Sequence, residues 1–321
     1  MKILFVSSGN SKDFDVVPFI KAQGDSLIKL GHDVTFFTIQ GKGFKGYIKN
    51  IPRLRNYLKN KHFDLVHAHF SYCGWVAFLT GTKIPKILSL MGGDAYGDIY
   101  ENGQKKIKTY FMILQGQLIQ HFYNEIIVKS DNLSKYVRKK TKCTIIPNGV
   151  DYDIFKPMDK IECRNKLSLK INKKILLFMG DPKNPRKNIK LLKDAVRYLD
   201  NKEYQIVNPY PVDHKEVPLY MNACDVLVFP SYLEGSPNII KEAMACNTKI
   251  VATLSGDIEE RANGVNNIWI ADFDKIDLAQ KIQLADEYDG DSNSREKTQI
   301  ELDEKVVASQ IVEIYKRLLS R

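Results

Sequence analysis

The segment Val226–Ala252, which reads VLVFPSYLEGSPNIIKEAMACNTKIVA, constrains the fold more than any other part of the chain. Two short apolar runs, Val226–Phe229 and Lys249–Ala252, enclose a loop and a helical pattern of about ten residues. A buried strand that is followed by a helix and by a second buried strand is the repeating unit of a parallel sheet. The segment therefore predicts an α/β protein.

The same alternation of apolar runs and helical patterns extends through all 321 residues, which are enough for two cores. It predicts one doubly wound parallel sheet over residues 1–150 and a second over residues 151–294, joined by the polar, proline-containing stretch Asp151–Lys173. An amphipathic helix over about 295–321 closes the chain and is a candidate to pack back on the first domain. Two such domains usually enclose a ligand cleft, because ligands bind beyond the carboxyl ends of parallel strands.

Composition narrows the setting in which the protein works. Five scattered cysteines without a C-x-x-C pair indicate neither a disulfide framework nor a structural zinc site. The N-terminus, MKILFVSSG, is too short for the apolar region of a signal peptide, and no run approaches the roughly 18 apolar residues of a spanning helix. We therefore expect a cytoplasmic protein, at most peripheral on the inner face of the cell membrane. A net charge of +10 favours acidic partners without choosing among them.

Two carboxylates lie at the turn of the opening segment. Ser236 is a suitable N-cap and Pro237 a suitable first helical residue, so the helix start is expected to present unpaired N–H groups to a phosphate. Glu242 follows Pro237 by roughly 7–8 Å along the helix axis, a distance at which it can accept hydrogen bonds from both hydroxyls of a ribose. Glu234 precedes the helix and can orient a transferred group. The alternative for Glu242 is a solvated glutamate on the helix surface, and the alternative for Glu234 is a charge on a surface loop.

The motif FPSYLEGSPNIIKEAMACNTKIVAT, in which seven residues separate Glu234 from Glu242, resembles the donor site of retaining nucleotide-sugar glycosyltransferases of family four. These enzymes have the GT-B architecture of two Rossmann-like domains that face each other across a cleft. Further stretches match the family in the expected order: LGHDVTFFT at 30–38, DLVHAHF at 64–70, IPNGVD at 146–151 and NPRKNIKLL at 184–192. The combination is specific for the superfamily and says little about the substrate.

The resemblance implies a metal-independent enzyme of the bacterial surface-polysaccharide type. It moves a sugar from a nucleotide-sugar donor, a UDP-sugar in preference to a GDP-sugar, to a hydroxyl of a glycan or lipid-linked acceptor. The resemblance assigns Arg186 and Lys187 to the diphosphate leaving group, Glu242 to the ribose and Glu234 to the transferred sugar. Elementary electrostatics agrees, because departure of a nucleoside diphosphate builds negative charge that preorganised cations stabilise.

Other parts of the donor site are implied in the same way. The backbone of Gly235, Ser236, Pro237 and Asn238 is expected to hold the sugar and phosphate. Gly9 would let the first domain's backbone approach the donor. Asn208 is placed near the base.

The sequence departs from the family pattern at two positions. Asp181 follows Gly180 where members commonly have an arginine, and Met91 stands where they often have a histidine. These departures keep open a catalytically silent nucleotide-sugar or glycan-binding protein, beside a nucleotide-sugar epimerase of the same architecture. Asp94, close to Met91, is a candidate to bind an acceptor hydroxyl or act as a base, or else only to form a cap or turn.

A basic segment in the first domain suggests a surface partner. Residues 42–61 contain seven basic side chains and no acid: Lys42, Lys45, Lys49, Arg53, Arg55, Lys59 and Lys61. Interleaved apolar residues make this a basic amphipathic pattern, which is typical of binding to an anionic membrane surface or is simply a solvated helix face. Nucleic acid is not an expected partner, because positive charge is its only support. No metal site is expected, since the pair His67 and His69 lacks a third ligand.

Overall fold

The computed structural model describes residues 1–11, 14–99, 104–138, 140–199 and 203–320. The chain divides into two compact units, each with its own parallel sheet. The first unit is formed by the described residues of Met1–Asp98, Lys105–Gly149 and Glu304–Arg321, and the second mainly by those of Val150–Asp303. The predicted α/β class with two doubly wound parallel sheets is confirmed.

The sheet of the first unit has the strand order β2-β1-β3-β4-β5-β6 among the described residues, and all its pairs are parallel. The strands are β1 (Lys2–Ser8), β2 (Asp33–Ile39), β3 (Leu65–His69), β4 (Lys86–Ser89), β5 (Glu125–Val128) and β6 (Cys143–Ile145). The helices before the linker are α1 (Pro18–Lys29), α2 (Gly43–Ile48), α3 (Ile51–Asn60), α4 (Ser71–Leu79), α5 (Gly93–Tyr96), α6 (Ile107–Ile119) and α7 (Asp131–Ser134).

The sheet of the second unit has the order β11-β10-β9-β7-β8, again with parallel pairs throughout the described part. Its strands are β7 (Lys174–Leu177), β8 (Tyr204–Val207), β9 (Val226–Phe229), β10 (Ile250–Thr253) and β11 (Ile268–Ala271). Its helices are α8 (Lys160–Lys166), α9 (Ile189–Ala195), α10 (Val217–Ala223), α11 (Asn238–Ala245), α12 (Ile258–Ala262), α13 (Lys275–Glu287) and α14 (Ser294–Leu302). The opening segment is thus β9, α11 and β10.

The end of the chain differs from the expected single helix over about 295–321. Helix α14 ends at Leu302, the extended backbone of Asp303 interrupts the path, and α15 then runs over Glu304–Leu319. The apolar face of α15 packs with β-strand side chains of the first unit into one buried cluster, together with residues of α1. The last helix is therefore part of the first unit's core, although the second unit separates it in sequence from the rest of that core.

Of the helices that the structure describes, none combines the length and the apolarity that crossing a membrane requires.

We expect Ile311→Ala to lower the free energy of unfolding of the first unit by about 2–5 kcal/mol, because Ile311 is fully buried in that cluster and truncation leaves a cavity. Urea unfolding would measure the change. Gln310→Ala, an exposed substitution on the same helix, is the control and should stay within roughly 0.5 kcal/mol of the wild type. Equal effects of the two substitutions would contradict the packing role of α15.

Candidate active site

The centre of the site is the loop between β9 and α11. Strand β9 is buried along its whole length, and the helix begins at Asn238, with Pro237 as its N-cap and no capping hydrogen bond from a side chain. The prediction that Ser236 caps the helix is wrong, and so is the prediction that Pro237 is its first residue. The Ser236 hydroxyl instead donates to Asp257 Oδ2 at 2.8 Å and accepts from Lys241 Nζ at 3.1 Å.

A buried network supports this loop from below. Lys241 is fully buried, and burial lowers the pKa of its ammonium group to about 8, while the nearby Asp257 carboxylate opposes that shift. Asp257 in turn accepts a hydrogen bond from Arg261 Nε at 3.3 Å. Gly256 has φ +67°, and a Cβ at this position would lie 2.8 Å from the carbonyl oxygen of Gly235. The backbone at Gly235 is therefore fixed by close contact as well as by charge.

Lys187 and Glu234 form an ion pair, with 2.8 Å between Nζ and Oε1. Lys187 belongs to a single 3₁₀ turn, Pro185–Lys187, in which Asn184 Oδ1 accepts from the Arg186 N–H at 3.1 Å. The Arg186 carbonyl accepts from the Tyr232 N–H at 2.9 Å, so the turn after β7 is tied to the loop after β9. Lys187 and Glu234, which the sequence analysis assigned separately to the diphosphate and to the transferred sugar, are thus direct partners.

Glu242 also has a partner that the sequence analysis missed. Its Oε1 lies 2.9 Å from His214 Nε2, and this hydrogen bond raises the pKa of His214. His214 lies in the loop between β8 and α10, and its ring is 5.3 Å from that of Phe155. Nothing in the spacing links His214 to a glutamate 28 residues later. The signal available in the sequence is that both follow strands whose carboxyl ends meet at one edge of a parallel sheet.

Asn208, the remaining donor-site candidate of the second unit, lies directly after β8. Its side-chain oxygen accepts a hydrogen bond from the Tyr210 N–H at 3.3 Å, which shapes the start of the β8–α10 loop. The loop therefore contains both Asn208 and His214. Its proximity to a nucleotide base stays a prediction.

The candidate residues of the first unit have structural partners. The Gly9 N–H donates to the Ile39 carbonyl at 2.9 Å, and a Cβ at Gly9 would lie 2.7 Å from Thr38 Cβ. Packing against β2 is thus enough to require glycine at this position. The approach of Gly9 to a donor stays a prediction.

Asp94 is almost fully buried, and its carboxylate accepts hydrogen bonds from the N–H groups of Ser71, Met91 and Gly92 at 2.8, 2.8 and 3.1 Å. Burial raises the pKa of Asp94 to about 6, although the backbone hydrogen bonds oppose that shift. Asp94 therefore stabilises a turn, which is one of the two roles that the sequence analysis offered for it. Gly92 in the same loop has φ +112°. An additional role in proton transfer stays a prediction.

The paired histidines of β3 are both buried; His67 forms hydrogen bonds and His69 packs against neighbouring rings. His67 lies between Tyr315 Oη, at 2.6 Å from Nδ1, and Ser89 Oγ, at 2.7 Å from Nε2. His69 stacks on His67 with 4.2 Å between ring centroids. In the described part of the chain no three His, Cys, Asp or Glu side chains are grouped to hold a metal ion.

Comparison with known protein families identifies the family to which the chain belongs. Residues 16–154 match the family described as Glycosyltransferase Family 4, and residues 173–285 match Glycosyl transferases group 1. The chain belongs to this glycosyltransferase family. The predicted family and its enzymatic nature are confirmed, and the epimerase and silent-binder alternatives receive no support.

Individual relatives cover most of this glycosyltransferase. An uncharacterized glycosyltransferase of Methanocaldococcus jannaschii is 27% identical over 278 residues, which are 75% of this chain and 71% of the relative. The N,N'-diacetylbacillosaminyl-diphospho-undecaprenol alpha-1,3-N-acetylgalactosaminyltransferase of Campylobacter jejuni is 24% identical over 309 residues, 85% of this chain and 82% of the relative. The crystal structure of Anabaena HepE in complex with UDP and glucose aligns with a TM-score of 0.77 at 16% identity, over 99% of this chain and 100% of HepE. The predicted GT-B fold is confirmed.

We expect His214→Gln to lower thermal stability at pH 6.0 and to leave it unchanged at pH 8.5. A raised pKa in the folded state means that the His214–Glu242 pair contributes stability below the unfolded pKa of about 6.5 and loses that contribution as pH rises through the folded value. The loss at pH 6.0 should stay below about 1 kcal/mol, because 44% of the His214 side chain is exposed to screening water.

Thermal unfolding followed by fluorescence at both pH values would measure this difference, with the exposed His121→Gln as the matched control. A deficit of the same size at pH 6.0 and pH 8.5 would show that the contribution of His214 is not electrostatic.

Proposed function

We propose that the protein transfers a sugar, with retention of configuration and without a metal, from a nucleotide-sugar donor to a hydroxyl of a lipid-linked glycan. The observation that carries this proposal is the arrangement of two hydrogen-bonded pairs, Lys187–Glu234 and His214–Glu242, around α11. Lys187 follows β7, His214 follows β8, and both glutamates follow β9, so the pairs lie at the carboxyl ends of three neighbouring strands of one sheet. The second unit is accordingly the donor domain, and the first unit is the acceptor-side domain.

The diphosphate would bind between the start of α11 and the turn that contains Arg186 and Lys187. The N–H groups of a helix start and the dipole of the helix favour a phosphate. An ammonium group has three donors, so Lys187 can keep its bond to Glu234 while it donates to a phosphate oxygen. As the bond between sugar and diphosphate breaks, these prepositioned charges stabilise the negative charge that develops on the leaving group.

The ribose would bind Glu242. An ionised carboxylate has about four acceptor positions, and the bond to His214 uses one of them. Glu242 can therefore hold the ribose hydroxyls while His214 fixes its orientation. Glu234 and the backbone of Gly235, Ser236, Pro237 and Asn238 would hold the sugar and phosphate. Asn208 would lie near the base and the backbone of Gly9 would approach the donor, while Asp94 would bind or deprotonate the acceptor hydroxyl.

The donor base and the acceptor are finer parts of the proposal. The HepE structure is a complex with UDP and glucose, which supports a UDP-sugar over a GDP-sugar here. The Campylobacter relative is named for a sugar acceptor attached to diphospho-undecaprenol, which supports a lipid-linked acceptor in cell-surface polysaccharide synthesis.

We expect Glu242→Ala to weaken UDP binding by roughly tenfold or more, because a hydrogen bond to a charged group contributes about 1.5–3 kcal/mol. Lys187→Ala should lower kcat by roughly a hundredfold, since its contact strengthens as the leaving group becomes charged. Calorimetric titration with UDP and with GDP, followed by measurement of nucleoside diphosphate release, would test both expectations.

Lys190→Ala is the matched control for Lys187, because Lys190 is an exposed lysine three positions further along the chain that pairs with Asp194. It should leave binding and kcat unchanged. Wild-type kinetics in both Glu242→Ala and Lys187→Ala would refute the donor site. Tighter binding of GDP than of UDP would refute the base assignment alone.

We also propose that residues 42–61 bring the first unit to an anionic membrane, at the inner face of the cell membrane. The structure divides the basic residues of this segment into two kinds. Arg53 and Arg55 donate to backbone carbonyls of Thr38, Leu79 and Thr80, which makes them parts of the fold. Lys42, Lys45 and Lys49 are exposed around α2 and are the better candidates to meet lipid phosphates.

Replacing Lys42, Lys45 and Lys49 together with Glu should reduce sedimentation with phosphatidylglycerol vesicles by at least tenfold, since each surface lysine contributes about 1 kcal/mol to such binding. The control replaces Lys281, Lys297 and Lys305, which lie outside this segment, with Glu for the same change in net charge. Equal loss in both triple variants would indicate a net-charge effect instead of a docking surface.

A further inference from the structure

An apolar groove lies within the first unit, between α2, α4 and α6. Its volume is about 300 Å³, which is at the lower end of the range of small-molecule sites. Its walls are almost entirely aromatic and aliphatic, with Phe44, Tyr47 and Ile48 from α2, Trp75 and Leu79 from α4, and Phe111 and Leu118 from α6. None of these residues belongs to the proposed donor site.

Helix α6 turns its apolar face outward. Its exposed side chains recur at helical spacing, and they are Ile107, Tyr110, Phe111, Leu114 and Leu118, with exposed fractions from 84% at Ile107 to 49% at Leu118. The buried residues of the helix are Thr109, Gln115, Gly116 and Ile119, of which only Ile119 has a large apolar side chain. This is the reverse of an ordinary surface helix. An exposed apolar surface of this kind marks an interaction site.

A close backbone contact explains why α6 has this orientation. A Cβ at Gly116 would lie 2.8 Å from the carbonyl oxygen of Asp94, so α6 approaches the α5 turn through its glycine face. Gln115, on the same face, donates from Nε2 to Ser71 Oγ at 2.8 Å. These contacts hold the small and polar side of the helix inward and leave the aromatic side as one wall of the groove.

The polar atoms of the groove are directed at protein partners. Trp75 Nε1 donates to Gln115 Oε1 at 2.8 Å, and Gln115 Nε2 also donates to the Met112 carbonyl at 2.7 Å. A ligand in the groove would therefore meet apolar surface and few hydrogen-bonding groups, which suits a hydrocarbon chain and disfavours a sugar or a nucleotide.

Two of the helices that form the groove carry exposed positive charge. Lys42, Lys45 and Lys49 lie at or beside α2, and Lys108 lies in the first turn of α6, all of them exposed. No acidic residue occurs in residues 42–61 or 107–119. A second copy of this chain would bring the same positive charge to the contact. An anionic partner is complementary to it.

We propose that this groove binds the hydrocarbon chain of a phosphate-bearing lipid, with the phosphate against the lysines around α2. The proposal rests on the proposed function in one respect, namely that this lipid carries the glycan acceptor. Each methylene that enters the groove should increase affinity by roughly fourfold, because burial of one CH₂ contributes about 0.8 kcal/mol. The groove thus selects the acceptor by its lipid, independently of the donor site.

Trp75 gives a direct measurement of occupancy. The chain has two tryptophans, and Trp269 lies in the second unit, so Trp269→Phe leaves Trp75 as the single reporter. In this background, monomeric farnesyl phosphate should shift and change the fluorescence of Trp75 saturably. Geranyl phosphate, which is five carbons shorter, should bind more weakly by at least tenfold, and inorganic phosphate should have no effect.

Two variants locate the binding. Phe111→Ser and Leu118→Gln should each weaken farnesyl phosphate binding by about tenfold, because both remove apolar wall from exposed positions without opening the core. The matched control is Ile300→Ser, which removes an 80% exposed apolar side chain from α14. Calorimetric titration with UDP should give wild-type affinity in all three variants, which separates failure of the groove from failure of the donor site.

Several outcomes would overturn the proposal. These are an unchanged Trp75 signal with farnesyl phosphate, equal affinity for geranyl and farnesyl phosphate, or equal weakening by Ile300→Ser and Phe111→Ser. A wild-type dimer that Phe111→Ser converts to a monomer would assign the groove to a second copy of the chain. Quenching of Trp75 by brominated-lipid vesicles, without any response to monomeric farnesyl phosphate, would assign it to insertion into a bilayer.

Discussion

The geometry of the loop between β9 and α11 depends on one buried charge. Lys241 is fully enclosed beneath residues 235–237, and a buried ammonium group is costly unless oxygen atoms surround it. Ser236 provides one such oxygen, and the Asp257 carboxylate behind it provides compensating charge that Arg261 shares. The loop cannot move away from this network without leaving a charge unpaired. This restraint keeps the backbone before α11 rigid at the helix start that we propose to bind the diphosphate.

The sequence was sufficient for the fold class and for much of the element order, because the periods of strands and helices are local properties. The family motif also selects Glu234, Glu242, Arg186 and Lys187 as site candidates, and their roles stay predictions. Prediction from the sequence failed where the outcome depends on contacts between distant loops. Ser236 does not cap the helix, because its hydroxyl bonds Lys241 and Asp257 instead. The Lys187–Glu234 pair joins the loops after the adjacent strands β7 and β9, and the His214–Glu242 pair joins the loop after β8 to helix α11.

Helix α6 shows a second reason why the structure could not be predicted from the sequence. Its periodicity predicts a helix, and a helix with one apolar face is ordinarily expected to bury that face. The pattern does not reveal that Gly116 must lie against the α5 turn, a requirement that comes from the backbone carbonyl of Asp94. One close contact therefore reverses the expected orientation of the whole helix. As a result, the first unit presents aromatic surface beside its lysines, and the second unit keeps its charged pairs in loops around a polar site.

The position of α15 has a consequence for how the protein is made. A ribosome releases residues 1–149 first, but the core around β1 and β3 lacks Val307, Ile311 and Ile314 until the final helix emerges. The second unit, whose strands lie in one continuous stretch, can complete its sheet earlier, even though it begins later in the chain. N-terminal domains usually fold first during synthesis. In this protein the first unit completes its core only after the second unit has been synthesised. Until then, the apolar strand side chains that α15 covers in the finished unit stay exposed to water.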